Sequence, residues 1–206
     1  MNADPTIKTD APVKEPKKQS PLSSVFDYLE LFAWSIFAVM MLFTFAFRLC
    51  RVDGSSMENT LYDTENVLLS SVGYTPQQGD IVVFHLPEKE GQTTLVKRVI
   101  ATGGQTVTIN FETKEILVDG VRYEDSHAVL KSISGENIGR YTLFSEHNYD
   151  ADKKTFSATV PKDHIFVMGD NRNNSKDSRD LEIGFVDERC VLGKAIVRLS
   201  PFQLFH

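Results

Sequence analysis

Three stretches of this chain carry side chains that could make or break a covalent bond. The first, Asp53-Gly54-Ser55-Ser56-Met57-Glu58-Asn59-Thr60-Leu61, holds two serines behind a glycine. Alone it is a weak signal, because Gly-Ser-Ser clusters are mostly turns. The second is Thr94-Leu95-Val96-Lys97-Arg98-Val99-Ile100. A strand alternation there puts Leu95, Lys97, Val99 and Ala101 on one apolar face and turns Arg98 to the other. Burial penalises the ammonium form, and a fall of roughly three units from the ordinary ~10.4 would leave a neutral amine near pH 7. Such an amine can take the proton of a serine hydroxyl and make its oxygen nucleophilic. The competing reading of the same lysine is a stem lying on apolar surface with its head in water. The third stretch, Gly169-Asp170-Asn171-Arg172-Asn173-Asn174-Ser175-Lys176-Asp177-Ser178-Arg179, comes directly after the apolar run Ile165 to Met168. Its acids, amides, hydroxyls and two arginines suit either a solvated loop or a polar network that positions a buried group.

Other chemistries find less support. His85, His127, His147, His164 and His206 sit in unrelated settings with no nucleophile or metal-ligand pattern around them, so a base, if there is one, is expected not to be histidine. Cys50 and Cys190 lack the spacing of a zinc or redox pair and are too few for a disulfide scaffold. Both read as structural or incidental, and whether they pair depends on distances rather than spacing. With 22 Lys and Arg against 28 Asp and Glu, the chain is mildly acidic, which disfavours a nucleic-acid partner.

The elements that must carry these residues differ sharply along the chain. Residues 1–20 hold Lys8, Lys14, Lys17 and Lys18 and almost no large apolar side chain, the composition of a disordered tail. From Leu31 to Phe47 no residue is charged, and extension back to Leu22 reaches the length of a membrane span; a helix is expected over 21–48, started by Ser20 and Pro21. A cleaved signal peptide is the alternative, but the run is long and Thr44 with Ala46, crowded by Phe45 and Phe47, is a poor cleavage site. Four lysines before the helix against Arg48 and Arg51 after it put the tail in the cytoplasm and the remainder outside.

Beyond Val52 the pattern changes to short runs of Val, Ile, Phe and Thr between turn residues, which predicts strands at 66–71, 80–85, 94–101, 106–111, 115–118, 121–123, 156–160, 164–168 and 194–199. Asp119-Gly120 should be a two-residue hairpin turn. The polar interval 124–154 reads as an insertion on a β domain spanning 49–206.

Together these motifs resemble the bacterial type I signal peptidases, in the short single-anchor form of Gram-positive bacteria. Four blocks stand in the family's order behind an N-terminal anchor: Gly54-Ser55-Ser56-Met57 with Thr60-Leu61, Gly79-Asp80-Ile81-Val82-Val83-Phe84, Lys97-Arg98-Val99-Ile100 with Gly103-Gly104, and the Gly169 to Arg179 loop. The resemblance implies a mainly β fold, with a transmembrane helix followed by a compact catalytic domain of signal-peptidase or LexA-like type. It implies a serine endopeptidase that removes N-terminal signal peptides, with Ser56 as nucleophile and Lys97 as general base. By the same match Ser175 orients the lysine amine, Asp177 and Arg179 form a supporting pair, and Asp170 pairs with Arg98. Where some members have a serine that assists the oxyanion hole this chain has Gly54, which leaves a main-chain contribution from that position. The resemblance implies no cofactor or metal, and secretory preproteins with small residues one and three positions before the cut as partners; a lipid bilayer around the apolar run and a monomer are also expected.

Three positions depart from the family's usual pattern: Asn59 where proline is common, Asn173 where aspartate is common, and Ala101-Thr102-Gly103-Gly104-Gln105 in place of Gly-Leu-Pro-Gly-Asp. A self-cleaving repressor-type peptidase would share the β core and the Ser/Lys pair but carry a soluble DNA-binding domain in place of the apolar run. A membrane-tethered adaptor would need the domain without a working Ser56 and Lys97.

Overall fold

The computed structural model describes residues 21–88, 91–124, 126, 149–150, 152–180 and 182–205. The tail expected over residues 1–20 lies outside them. Helix α1 runs from Pro21 to Ala46, 26 residues and about 39 Å at the usual rise. Its segment Ser24–Ala46 is long and apolar enough to cross a membrane. Trp34, Phe37, Met40 and Leu42 are all exposed, as a lipid-facing helix requires and a core helix does not. The helix ends two residues short of the expected 48, and the chain passes at once into a strand. By internal contacts the chain divides into Met1–Leu42 and Phe43–His206.

Among the described residues the second unit is mainly β, and its strands pair antiparallel. Its strands are β1 (Phe47–Arg51), β2 (Asn66–Ser70), β3 (Ile81–Glu88), β4 (Gly91–Thr102), β5 (Thr106–Asn110), β6 (Glu115–Val118), β7 (Val121–Arg122), β8 (Tyr149–Asp150), β9 (Thr155–Thr159), β10 (His164–Met168), β11 (Val186–Asp187), β12 (Val191–Leu199) and β13 (Phe202–Leu204). One sheet has the order β1-β2-β12-β3-β4-β10-β11 with β13 added to β12; the other has the order β7-β6-β5-β9-β8. The nine expected strands are all present, and β1, β8, β11 and β13 are additional. β8 lies inside the interval read as an insertion yet pairs with β9, so the end of that interval belongs to the second sheet. The rest of it falls almost entirely outside the described residues.

Two patterns of burial separate the sheets. In β5 only Val107 and Ile109 are buried, while Thr108 and Thr106 face outward and bond across to Ser157 and Thr159 at 3.0 Å each. β3 is covered on both sides: Ile81 and Val83 join Val52, Met57, Leu61 and Leu69 in one cluster, whereas Val82, Phe84 and Leu86 join Val99, Ile165 and Val167 in another. A strand buried on both faces reads as a continuous apolar run. The Asp119-Gly120 turn forms as expected, with φ of 52° and 79°, the left-handed pair that a tight hairpin demands.

β4 is the long strand on which the two halves meet. Its register with β10 slips between Val99 and Ala101, leaving Ile100 as an extra residue. Ahead of this bulge, Leu95 and Val99 point to the cluster of Val82, as alternation predicts. Past it the parity changes. Ala101, expected on the Lys97 face, instead joins Ile100 in the cluster of the second sheet, with Val107, Phe156 and Phe166.

Candidate active site

The turn that carries Ser56 is anchored by the residues on its C-terminal side. Met57 and Leu61 are almost wholly buried, and the N–H groups of Thr60 and Leu61 both donate to Met57 O at 3.0 and 2.8 Å. Gly54 enters the turn at φ +88°, and Asn59 leaves it at φ +82°. The second value explains a departure from the family's usual pattern: the proline ring locks φ near −65°, so proline cannot occupy this conformation, whereas Asn is among the residues that tolerate it.

Lys97 stands on β4 opposite Val82 and is only 2% exposed. Its Nζ lies 2.7 Å from Ser56 Oγ and donates to Val96 O at 2.9 Å. Burial lowers the amine from 10.5 to about 8; the Asp177 and Asp170 carboxylates oppose that shift, and the Arg179 guanidinium assists it. A neutral amine has two hydrogens and one lone pair. With a hydrogen directed to Val96 O, the lone pair is available to the Ser56 hydroxyl, which is the arrangement of a nucleophile and its base.

The third stretch is a network rather than a solvated loop. Asp170 is fully buried and accepts from Arg98 Nε at 2.8 Å, Arg98 Nη2 at 2.7 Å and Thr60 Oγ1 at 2.5 Å. This bidentate pair ties the strand of Lys97 to the 169–179 loop, and Thr60 ties that loop to the turn of Ser56. Asp170→Ala would strand a buried guanidinium, and we expect a loss of roughly 3–5 kcal/mol in urea unfolding, with Asp170→Asn losing less because it keeps one acceptor.

Asp177 accepts from Arg179 Nε at 2.7 Å and Nη2 at 2.8 Å and from Gly169 N at 3.0 Å. Burial alone would push its carboxyl up; Arg179 and the Gly169 N–H outweigh burial and hold it below the usual range. The geometry alters two expectations. The Ser175 hydroxyl is buried and makes no well-formed hydrogen bond, so the amine contact expected of it is taken by Val96 O. The Gly54 N–H, expected as a main-chain contributor to the oxyanion hole, donates instead to Asp63 Oδ1 at 2.9 Å. Among the described residues nothing accepts from the Ser56 N–H.

Asp170, Asp177, Arg98 and Arg179 stand where the motifs lead one to expect them, whereas Thr60, Asp63 and Asn171 join the site without being marked by any motif role. Thr60 lay in a recognised block without an assigned role. Asp63 had no local signal, and Asn171 was one of three amides in its loop. Cys50 and Cys190 are both free thiols. Among the described residues no group of three or more His, Cys, Asp or Glu side chains could hold a metal ion.

A family model described as signal peptidase, peptidase S26, matches residues 25–200. The chain belongs to the signal peptidase family. Signal peptidase I P of Bacillus subtilis subsp. natto is 31% identical over 187 residues, covering 86% of this chain and 90% of that protein. Signal peptidase IB of Staphylococcus aureus (strain COL) is 35% identical over 160 residues, covering 75% and 78%. A crystal structure of a signal peptidase I from Enterococcus faecalis V583 aligns with a TM-score of 0.39 and 26% identity, over 59% of this chain and 97% of that one. As a member of the signal peptidase family the chain is a serine peptidase, and its N-terminal apolar helix is consistent with membrane anchoring.

Proposed function

We propose that Ser56 is the nucleophile and Lys97 the general base of a membrane-anchored endopeptidase that removes signal peptides from secretory preproteins. The observation that carries this reading is a lysine amine 2% exposed and 2.7 Å from a serine hydroxyl 41 residues away in the chain. Neutral Lys97 accepts the Ser56 proton as Oγ attacks the scissile carbonyl, and the Ser56 N–H stabilises the oxygen that becomes negative. The lysine then returns the proton to the leaving amine, giving an acyl-enzyme. Water, deprotonated by the same amine, hydrolyses the ester. No step calls on a cofactor.

β10 pairs with β4 only from Arg98 to Thr102, so on that side the stretch Thr94 to Lys97 has no strand partner among the described residues. An extended preprotein segment pairing there would run directly past the dyad. Shallow pockets would favour small side chains one and three positions before the cut by excluding larger ones. The tail before α1 is cytoplasmic in this proposal, the β domain works as a monomer outside, and the lipid bilayer confines enzyme and substrate to one surface.

The test is the pH dependence of preprotein cleavage in detergent. Since only the neutral amine is a base, kcat/KM should rise about tenfold per pH unit below a bend near pH 8 and level above it. A rate constant unchanged from pH 5 to 8 would refute a lysine base.

A further inference from the structure

Asn171 touches the nucleophile turn three times. Its main-chain N–H donates to Ser56 O at 3.0 Å, and its Nδ2 donates to Ser55 O and to Glu58 Oε2, each at 3.1 Å. Both partners of the amide are pure acceptors, so the orientation of the side chain is fixed by chemistry: its nitrogen must face them and both its hydrogens are used. Ser55 O and the Ser56 N–H belong to one planar trans peptide unit, in which C=O and N–H point in opposite directions. Whatever holds the carbonyl therefore aims the N–H.

We propose that Asn171 is the positioning residue of the oxyanion hole, holding the Ser55–Ser56 peptide plane so that the Ser56 N–H points away from the 169–179 loop toward the reacting carbonyl. This rests on Ser56 being the nucleophile. A hydrogen bond accepted by the carbonyl also polarises the peptide and strengthens its N–H as a donor. The Gly54 N–H is already committed to Asp63, so the Ser56 N–H carries more of the burden. Glu58 completes the device by taking the second amide hydrogen, which prevents the side chain from turning over.

The geometry separates a truncation from a nearly isosteric change. Asn171→Ala removes a tether, whereas Asn171→Asp sets a carboxylate against a carbonyl and the Glu58 carboxylate. We expect kcat to fall about tenfold in the first and about a hundredfold in the second, with KM unchanged in both. Glu58→Gln added to Asn171→Asp supplies a donor to the new carboxylate and should recover about tenfold. Inhibition by a peptide aldehyde, whose adduct with serine places an oxyanion in the hole, should weaken in step with kcat. Equal losses in Asn171→Ala and Asn171→Asp, no recovery with Glu58→Gln, or aldehyde affinity unchanged while kcat falls would each overturn the proposal. If Asn171→Asp fails to fold, Asn171→Ala and its aldehyde affinity decide. Ser56→Ala assayed in parallel separates the two claims: activity surviving there would refute the nucleophile itself, whatever Asn171 does.

Discussion

Ser56→Ala and Lys97→Met should each give a folded protein whose preprotein cleavage falls on the order of 10^5-fold or more, because neither half of a nucleophile–base pair works without the other. Lys97→Arg should be as inactive as Lys97→Met: a guanidinium stays protonated at any working pH and cannot accept the serine proton. Cleavage within tenfold of wild type in any of the three would refute the assignment. Lys97→Met also carries a stability signature. The folded-state value near 8 lies below the 10.5 of an ordinary lysine, so the wild-type fold bears the cost of a buried ammonium below pH 8. That cost disappears as pH rises from about 8 to 10.5, where the amine is neutral in both folded and unfolded states. Its size is about 3 kcal/mol at neutral pH. The methionine variant should therefore gain on wild type at pH 7 and lose that advantage at pH 10.5, measured by urea unfolding at the two pH values. A difference independent of pH would contradict a displaced lysine.

Gly169→Ala should lower both stability and rate, although it adds only one methyl group outside the dyad. A Cβ at this position would sit 2.5 Å from Ser175 Cβ and 2.5 Å from Ser56 O, far inside contact distance. Neither neighbour can yield cheaply. Ser56 O is main chain and is held by Asn171 N, while Gly169 itself is fixed by its N–H to Asp177 and by Arg172 Nε, which donates to its carbonyl at 3.0 Å. Overpacking of this kind costs about 1–3 kcal/mol, and an ångström of displacement at a nucleophile can cost about a hundredfold in rate. We expect both, with kcat taking the loss. A variant with wild-type kcat would show that the loop and the nucleophile turn are not in such close register.

Much of this arrangement was written in local sequence. Lys97 is conspicuous because alternation sets a charge between Leu95 and Val99 on an apolar face, and the loop after Met168 because its amides and paired charges succeed a buried strand without interruption. The resemblance to a family then linked stretches that periodicity cannot connect. The elements and contacts that escaped did so for physical reasons. β1 lies along a sheet edge with Arg48, Leu49 and Arg51 all exposed, so it has no buried face to betray it after an apolar helix. β11 and β13 are two and three residues long, too short for any period. Asp63 reaches back nine residues to Gly54, and the choice of Asn171 over its neighbouring amides depends on which of them meets two carbonyls of a distant turn. Spacing holds no trace of such a meeting.

The bulge at Ile100 has a consequence for where a substitution is felt. Because one inserted position reverses the parity of β4, the half bearing Lys97 answers to one set of packing partners and the half beyond Ala101 to another. Residues Ile100 and Ala101 thus pack with the distal layer while Leu95 and Val99 pack with the layer on the Lys97 side. A substitution that resizes one layer is therefore felt first by the partners of that half of the strand.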